Sequence, residues 1–161
     1  MKTAIIYVSI HHGNTEKVAN VMANALGADL KKVGAFDPKN LAEYDLIGFG
    51  SGIFYGKHRK SLREMIANMP NLNKKAFIFS TSGNQNEKRT PKYHQALRVA
   101  LQNKGLTIID EFNCPGYDTF ILARIVGGIS KGRPNEEDLK KAQAFAENLK
   151  KNFLLNFRIR I

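Results

Sequence analysis

Disulfides cannot brace this chain: its 161 residues include one cysteine, Cys114. A lone thiol excludes an internal crosslink and suits a reducing compartment, so the expected location is cytoplasmic. Long apolar runs are missing too. No stretch reaches the roughly 18 residues of a membrane span, which excludes a transmembrane segment, and the N-terminus enters a strand pattern instead of a signal-peptide layout. Acidic residues are scarce, at 14 against 25 Lys+Arg, for a net charge of +11 and a pI near 9.8. That balance bears on partners more than on fold. The basic stretches lack interleaved aromatics, which argues against a nucleic-acid module. His11 and His12 have no acidic or thiol neighbour at ligand spacing, so no metal site is expected. Internal repeats and low-complexity segments are absent as well.

What is present is alternation. Apolar residues make up 43% of the chain, enough for a core in one domain of ordinary size. Near-continuous apolar strand patterns occur at 3–8, 45–50, 75–80 and 106–112, with a shorter edge-type strand at 28–33. Helical patterns lie between them at 16–26, 58–68, 91–104 and 135–151, with a short helical turn possible at 40–43. Gly27, Pro70 and Gly105 act as stops, and Asn135 caps an acidic first turn. Strict alternation of five strands with helices predicts an α/β domain over 1–151, its parallel sheet covered on both faces. Residues 114–134 read as irregular. Residues 152–161 read as a C-terminal tail that could be a strand, a packed tail or a frayed end.

In an open parallel sheet, ligands bind beyond the carboxyl ends of the strands. Three such ends carry ligand-type sequence. After the first strand, Ser9-Ile10-His11-His12-Gly13-Asn14-Thr15 leads into a helix N-terminus, whose free N–H groups and dipole favour an anion. After the middle strand comes Gly50-Ser51-Gly52-Ile53-Phe54-Tyr55-Gly56-Lys57, where glycines allow close approach and two aromatics offer planar faces. The next strand ends in the small polar run Ser80-Thr81-Ser82-Gly83-Asn84-Gln85-Asn86. A phosphate site, an aromatic plate and a polar rim together describe a phosphorylated planar cofactor. Competing phosphate motifs fail on spacing: a Walker A loop would need glycine at Ser51 and a hydroxyl residue at His58, and a G-x-G-x-x-G pattern from Gly50 meets Tyr55.

With Gly13-Asn14-Thr15-Glu16 after the first strand, Gly50-Ser51…Tyr55-Gly56 after the third and the polar loop after the fourth, the chain resembles the flavodoxin family over nearly its full length. The resemblance implies a three-layer flavodoxin-like sandwich with five parallel strands in the order 2-1-3-4-5, and non-covalent FMN. By it, Ser9, His11, His12, Gly13, Asn14 and Thr15 cradle the phosphate. Gly52, Ile53, Phe54, Tyr55 and Gly56, with Thr81, Ser82, Gly83 and Asn84, flank the isoalloxazine. The implied function is to carry electrons between redox partners, with no catalytic side chain assigned.

Two departures from the family pattern stand out. The usual Thr-x-Thr-Gly-x-Thr loop has Ile10 and His12 at its first two hydroxyl positions here, leaving Ser9 to supply a hydroxyl. The chain is also basic where electron-carrying flavodoxins are acidic. Lys57, His58, Arg59, Lys60 and Arg63, with Lys88 and Arg89, are therefore read as a collar at the flavin mouth for an acidic redox protein or an anionic small substrate. Positive charge there predicts a less reducing flavin. Tyr55-Gly56-x-His58 and Glu87-Lys88-Arg89-Thr90-Pro91 also resemble flavodoxin-type protoporphyrinogen oxidases. The alternative is accordingly an FMN oxidoreductase acting on a quinone or protoporphyrinogen. Cys114 reads as a buried thiol, Glu87 as a helix cap, and Tyr117, Asp118 and Phe120 as candidate cover for the cofactor.

Overall fold

The computed structural model describes residues 1–10, 12–83, 87–117 and 128–158, the side chains of 87 and 156–158 excepted. The chain alternates as β1 (Thr3–Val8), α1 (Asn14–Leu26), β2 (Asp29–Lys32), β3 (Leu46–Phe54), β4 (Lys57–His58), α2 (Lys60–Asn68), β5 (Lys75–Ser82), α3 (Thr90–Asn103), β6 (Thr107–Pro115) and α4 (Glu136–Arg158). The parallel strands run in the order β2-β1-β3-β5-β6. This is the expected five-strand permutation. The addition is β4, a two-residue strand folded antiparallel onto the end of β3.

Period-two side chains sort the sheet into two cores. Ala4, Ile6 and Val8 of β1 join Ile47, Phe49, Ala76 and Ile78 under α2 and α3. Ile5 and Tyr7 point the other way and join Phe77, Phe79 and the inner faces of α1 and α4. Two glycines of β3 answer to this packing. A Cβ on Gly48 would lie 2.3 Å from the Phe77 ring, and one on Gly50 2.2 Å from the Phe79 ring. Each glycine is the ladder partner of the phenylalanine that covers it. Glycine at these two positions of β3 leaves room for the ends of two rings of β5.

Helix ends follow the sequence signals. Gly27 takes a left-handed conformation and donates its N–H to the Ala23 and Asn24 carbonyls, closing α1. At the start of α4, Asn135 Oδ1 accepts the Asp138 N–H at 3.0 Å, while Asp138 Oδ2 accepts the Asn135 N–H at 2.9 Å. This reciprocal pair is a capping box with Asp at the third position. Arg133 also grips the buried Asp138 carboxylate.

Several boundaries depart from the sequence reading. The last helix does not stop at Lys151 but continues to Arg158, because Phe153 extends the buried row Ala142, Ala146 and Leu149 at helical spacing. The Lys75 ammonium sits 4.5 Å over the Phe153 ring. Cys114 and Pro115 belong to β6, not to an irregular segment. His58 belongs to β4, opposite Ile53, and not to the first turn of α2. Glu87 opens a short 3-10 turn, and Arg89 holds the N-cap position of α3.

Candidate functional site

The carboxyl ends of β1, β3, β5 and β6 converge on one edge. β1 delivers the chain into Ser9, whose Oγ is buried with no hydrogen-bond partner among the described residues. A buried hydroxyl left unpaired costs about 1–3 kcal/mol, and this one stands at the start of the loop that leads into α1. (Thr3 Oγ1 is likewise unpaired, at the opposite end of the same strand.) The backbone then passes through two successive left-handed residues, His12 at φ 58° and Gly13 at φ 67°. For His12 that conformation costs on the order of 1–2 kcal/mol, the kind of strain that concentrates at binding loops. Gly13 is the N-cap of α1 but offers no side-chain cap, so the first-turn N–H groups are open to an anion.

Asn14 and Thr15, expected as phosphate donors, are both buried and both make bonds within the protein. Asn14 Nδ2 donates to the Tyr117 carbonyl at 2.8 Å, and Thr15 Oγ1 lies 2.8 Å from Thr81 Oγ1. They tie the loop after β1 to the ends of β6 and β5. Tyr117 reinforces that link: its ring centroid is 4.6 Å from that of the exposed His12. Gly128, left-handed at φ 95°, clears the other side, since a Cβ there would fall 2.4 Å from the tyrosine ring. His11 and Asn84, with Asp118 and Phe120, lie outside the described residues.

The loop after β3 is a tight hairpin. Ile53 pairs with His58 and Phe54 with Lys57, leaving Tyr55 and Gly56 as a two-residue turn with φ of 49° and 73°. Positive φ at both positions defines a type I′ turn, which matches the right-handed twist of its strands. It lifts the Tyr55 side chain into solvent, 76% exposed, with its ring edge-on to Phe54 at 4.7 Å. The Arg59 guanidinium lies over the Phe54 ring at 4.4 Å. A Cβ on Gly52 would lie 3.8 Å from Thr81 Oγ1 and 3.9 Å from Thr15 Oγ1, so this glycine sits against that pair of hydroxyls. Across from it, Thr81 and Ser82 are buried and Gly83 is half-buried, its carbonyl accepting from Ser130 Oγ at 2.9 Å.

Beneath these two loops lies a polar network the sequence reading missed. His58 is 3% exposed, with Nδ1 2.9 Å from Ser51 Oγ. It therefore leaves the proposed collar, because the β4 ladder turns its side chain inward while Lys57 stays out. Its Nε2 is buried without a partner among the described residues, and its ring sits 5.0 Å from that of the fully buried His94. His94 in turn connects Ser80 Oγ, 2.7 Å from Nε2, to Glu111 Oε2, 3.0 Å from Nδ1. Arg98 closes the chain with two bonds to the Glu111 carboxylate, at 2.6 and 2.8 Å.

Burial pushes the His58 imidazole well below its usual range, helped by His94 and Arg63. Burial also lowers His94, with the Glu111 carboxylate opposing part of the effect. For Glu111, burial pushes upward but Arg98 and His94 prevail, and its carboxyl titrates below the ordinary value. Two other groups lie nearby. Burial and the Glu16 carboxylate, 2.8 Å from the hydroxyl, push Tyr7 up to about 12. Burial likewise pushes the Cys114 thiol to about 12, so it is inert as expected.

A family model described as a flavodoxin domain matches residues 4–116, from β1 through the end of β6. The chain belongs to the flavodoxin family. An uncharacterized protein of Methanocaldococcus jannaschii is 47% identical over 152 residues, covering 94% of this chain and 100% of that protein. Among solved structures, a Streptococcus pneumoniae flavodoxin superposes with TM-score 0.69 at 19% identity, covering 94% of this chain and 99% of that one. Flavodoxin 2 of Bacillus cereus gives 0.67 at 20% identity over 91% and 95%. A Lactobacillus acidophilus flavoprotein in complex with FMN gives 0.56 at 22% over 70% and 92%.

FMN is the cofactor of this family, and the residues present fit it. The Ser9 hydroxyl, unpaired among the described residues, the strained His12-Gly13 turn and the α1 N-terminus without a side-chain cap suit the phosphate of this flavodoxin's cofactor. Among the described residues no group of three or more His, Cys, Asp or Glu could hold a metal, and no helix is long and apolar enough to cross a membrane.

Proposed function

We propose that this flavodoxin binds FMN non-covalently and carries electrons between redox partners. The observation that carries the reading is the buried Ser9 Oγ, unpaired among the described residues, at the mouth of an uncapped helix. Ser9, His11, His12 and Gly13, with the N–H groups of Asn14 and Thr15, hold the phosphate. The Gly52–Gly56 hairpin and residues 81–84 take the ring, with the exposed Tyr55 covering one face. Bound there, FMN supplies one- and two-electron redox chemistry. The protein's own part is to orient the ring, exclude water from its inner edge and set the charge around it.

The charge at the mouth supports an acidic redox protein or an anionic small substrate as partner. Lys57, Lys60, Lys88 and Arg89 are exposed around the hairpin and the loop after β5. A buried lone thiol fits a cytoplasmic setting. In the rival reading the protein is an oxidoreductase for a quinone or protoporphyrinogen. His58, part of the motif behind that reading, faces the core instead of a substrate.

Titration of the purified protein with FMN tests the proposal. Quenched flavin fluorescence and a retained yellow colour are expected, with a hydroquinone potential less negative than in acidic flavodoxins. No uptake of FMN overturns the reading, and turnover of a quinone or porphyrinogen without a protein partner would favour the rival.

A further inference from the structure

The network below the ring loops contains a proton-counting problem. Ser80 Oγ has one hydrogen and two neighbours, His94 Nε2 at 2.7 Å and Asn113 Oδ1 at 2.8 Å. As placed, Asn113 Oδ1 accepts from both Ser80 and Ser82, the latter at 3.2 Å. Ser80 has then spent its hydrogen, and Nε2 must carry one of its own to bond Ser80. Nδ1 faces the Glu111 carboxylate, which only accepts, so Nδ1 carries a hydrogen as well. In this arrangement His94 is an imidazolium.

Turning the Asn113 amide over gives a second complete arrangement. Its NH₂ then donates toward Ser80, Ser80 donates to Nε2, and His94 is neutral. An amide turn and a hydroxyl rotation separate the two forms, and no bond is lost in either. Burial favours the neutral form, while a negative charge added nearby favours the cation.

The position of the network supplies that charge. Ser80 runs directly into Thr81-Ser82-Gly83, and Ser51, bonded to His58, runs into Gly52 and also donates to its carbonyl at 3.0 Å. Water reaches the other end, where the Glu111 and Arg98 side chains are 17% and 30% exposed. The charged and titratable groups facing His94 are Glu111 on β6, Arg98 on α3 and His58 on β4, with Arg63 of α2 acting on His58. Although Glu111, His94 and Ser80 follow the order of a hydrolase triad, Ser80 is fully buried and bonded to Asn113, so no substrate reaches it.

We propose that His94 is a proton-taking site coupled to the charge at the ring loops, neutral in the oxidised protein and protonated at Nε2 once an electron has entered. The proposal rests on the FMN reading above. One electron comes from an external chemical reductant and one proton from solvent, so the net charge of site plus network is unchanged. His58 stays neutral throughout, because a second imidazolium 5.0 Å away would be repelled.

The test is a pH titration of ¹⁵N-imidazole NMR signals, made without FMN, with oxidised FMN and after dithionite reduction. Reduction is expected to raise the His94 pKa by on the order of one unit, a tenfold change in its protonation. In parallel, the flavin midpoint potential is followed against pH. Wild type should become less reducing as pH falls between the two His94 values. His94→Gln should lose that segment, and Glu111→Gln should move it to lower pH. If His94→Gln does not fold, Glu111→Gln and the wild-type NMR titration decide. An unchanged His94 pKa in protein that binds FMN overturns this proposal alone, as does a wild-type pH profile in His94→Gln. Failure to bind FMN overturns both readings.

Discussion

The two halves of the site solve the same problem in opposite ways. At the end of β1, Ser9 Oγ is buried without a partner among the described residues, His12 is left-handed, and α1 has no side-chain cap. Beneath the β3 and β5 loops, polar groups bond to one another in a continuous line from Arg98 to Ser82, while His58 Nε2 beside it has no partner among the described residues. A group left open only gains when a ligand arrives, so the first half is unfavourable in the free protein. The second half is part of the folded core whether or not anything is bound. The loop proposed to take the phosphate and the network that braces the core therefore use different residues, although both lie at the carboxyl edge of one sheet.

The largest expected effect comes from cutting the self-satisfied half. His94→Leu leaves the Ser80 hydroxyl and the Glu111 carboxylate each short of a partner. Each keeps another partner, Asn113 and Arg98 respectively, so the expected loss in urea denaturation of the FMN-free protein is that of the two bonds themselves, about 0.5–1.5 kcal/mol for the neutral one and about 1.5–3 kcal/mol for the one to the carboxylate. The open half should respond the other way. Ser9→Ala removes a hydroxyl that costs stability in the free protein, so its unfolding midpoint should hold or rise. Its FMN affinity should fall by about tenfold or more, the value of a hydrogen bond to a charged acceptor. Equal losses of stability and affinity in both variants would erase the contrast.

Acid sharpens the contrast further. His58 and His94 are held below the imidazole value of about 6.5 by burial, so between their folded values and that value the unfolded chain binds more protons. Their contribution is complete above about pH 6.5 and is lost as pH falls through the window below it. The urea midpoint should therefore drop from pH 7.5 to 5.5, and drop less in His94→Gln. The smallest effect belongs to the hairpin tip. Tyr55→Ala, at a 76% exposed side chain, should change stability by no more than about 0.5 kcal/mol while exposing the bound flavin to solvent quenchers.

Much of this was legible before any coordinates. Apolar runs in alternation dictated a parallel sheet, and Gly13-Asn14-Thr15-Glu16 marked the turn from strand to helix. Glycine and asparagine signals located the C-terminus of α1 and the N-terminus of α4, because caps are local chemistry. The polar network was not legible, since its members are singletons scattered over β3, β4, β5, α3 and β6 with no spacing of their own. His58 was misassigned to a basic collar because Lys57, Arg59 and Lys60 surround it in sequence. A two-residue strand is too short for periodicity to reveal which neighbour turns inward.

The amino-acid order alone settled the fold class and the alternation of strands with helices, because each follows from near-neighbour chemistry. Only the tertiary structure decided what lies under the ring loops. The ladder between β5 and β6 slips between Ala76 and Phe77, so Ala76 pairs with Ile108 while Phe77 pairs with Asp110. That bulge sets Asn113 opposite Ser80 and Glu111 opposite Ile78, on the face of α3, and sends Phe112 to Phe145 on the other. Because strand side chains alternate with period two, one extra residue exchanges the two faces of everything after it, and no local pattern in the sequence records where that residue falls.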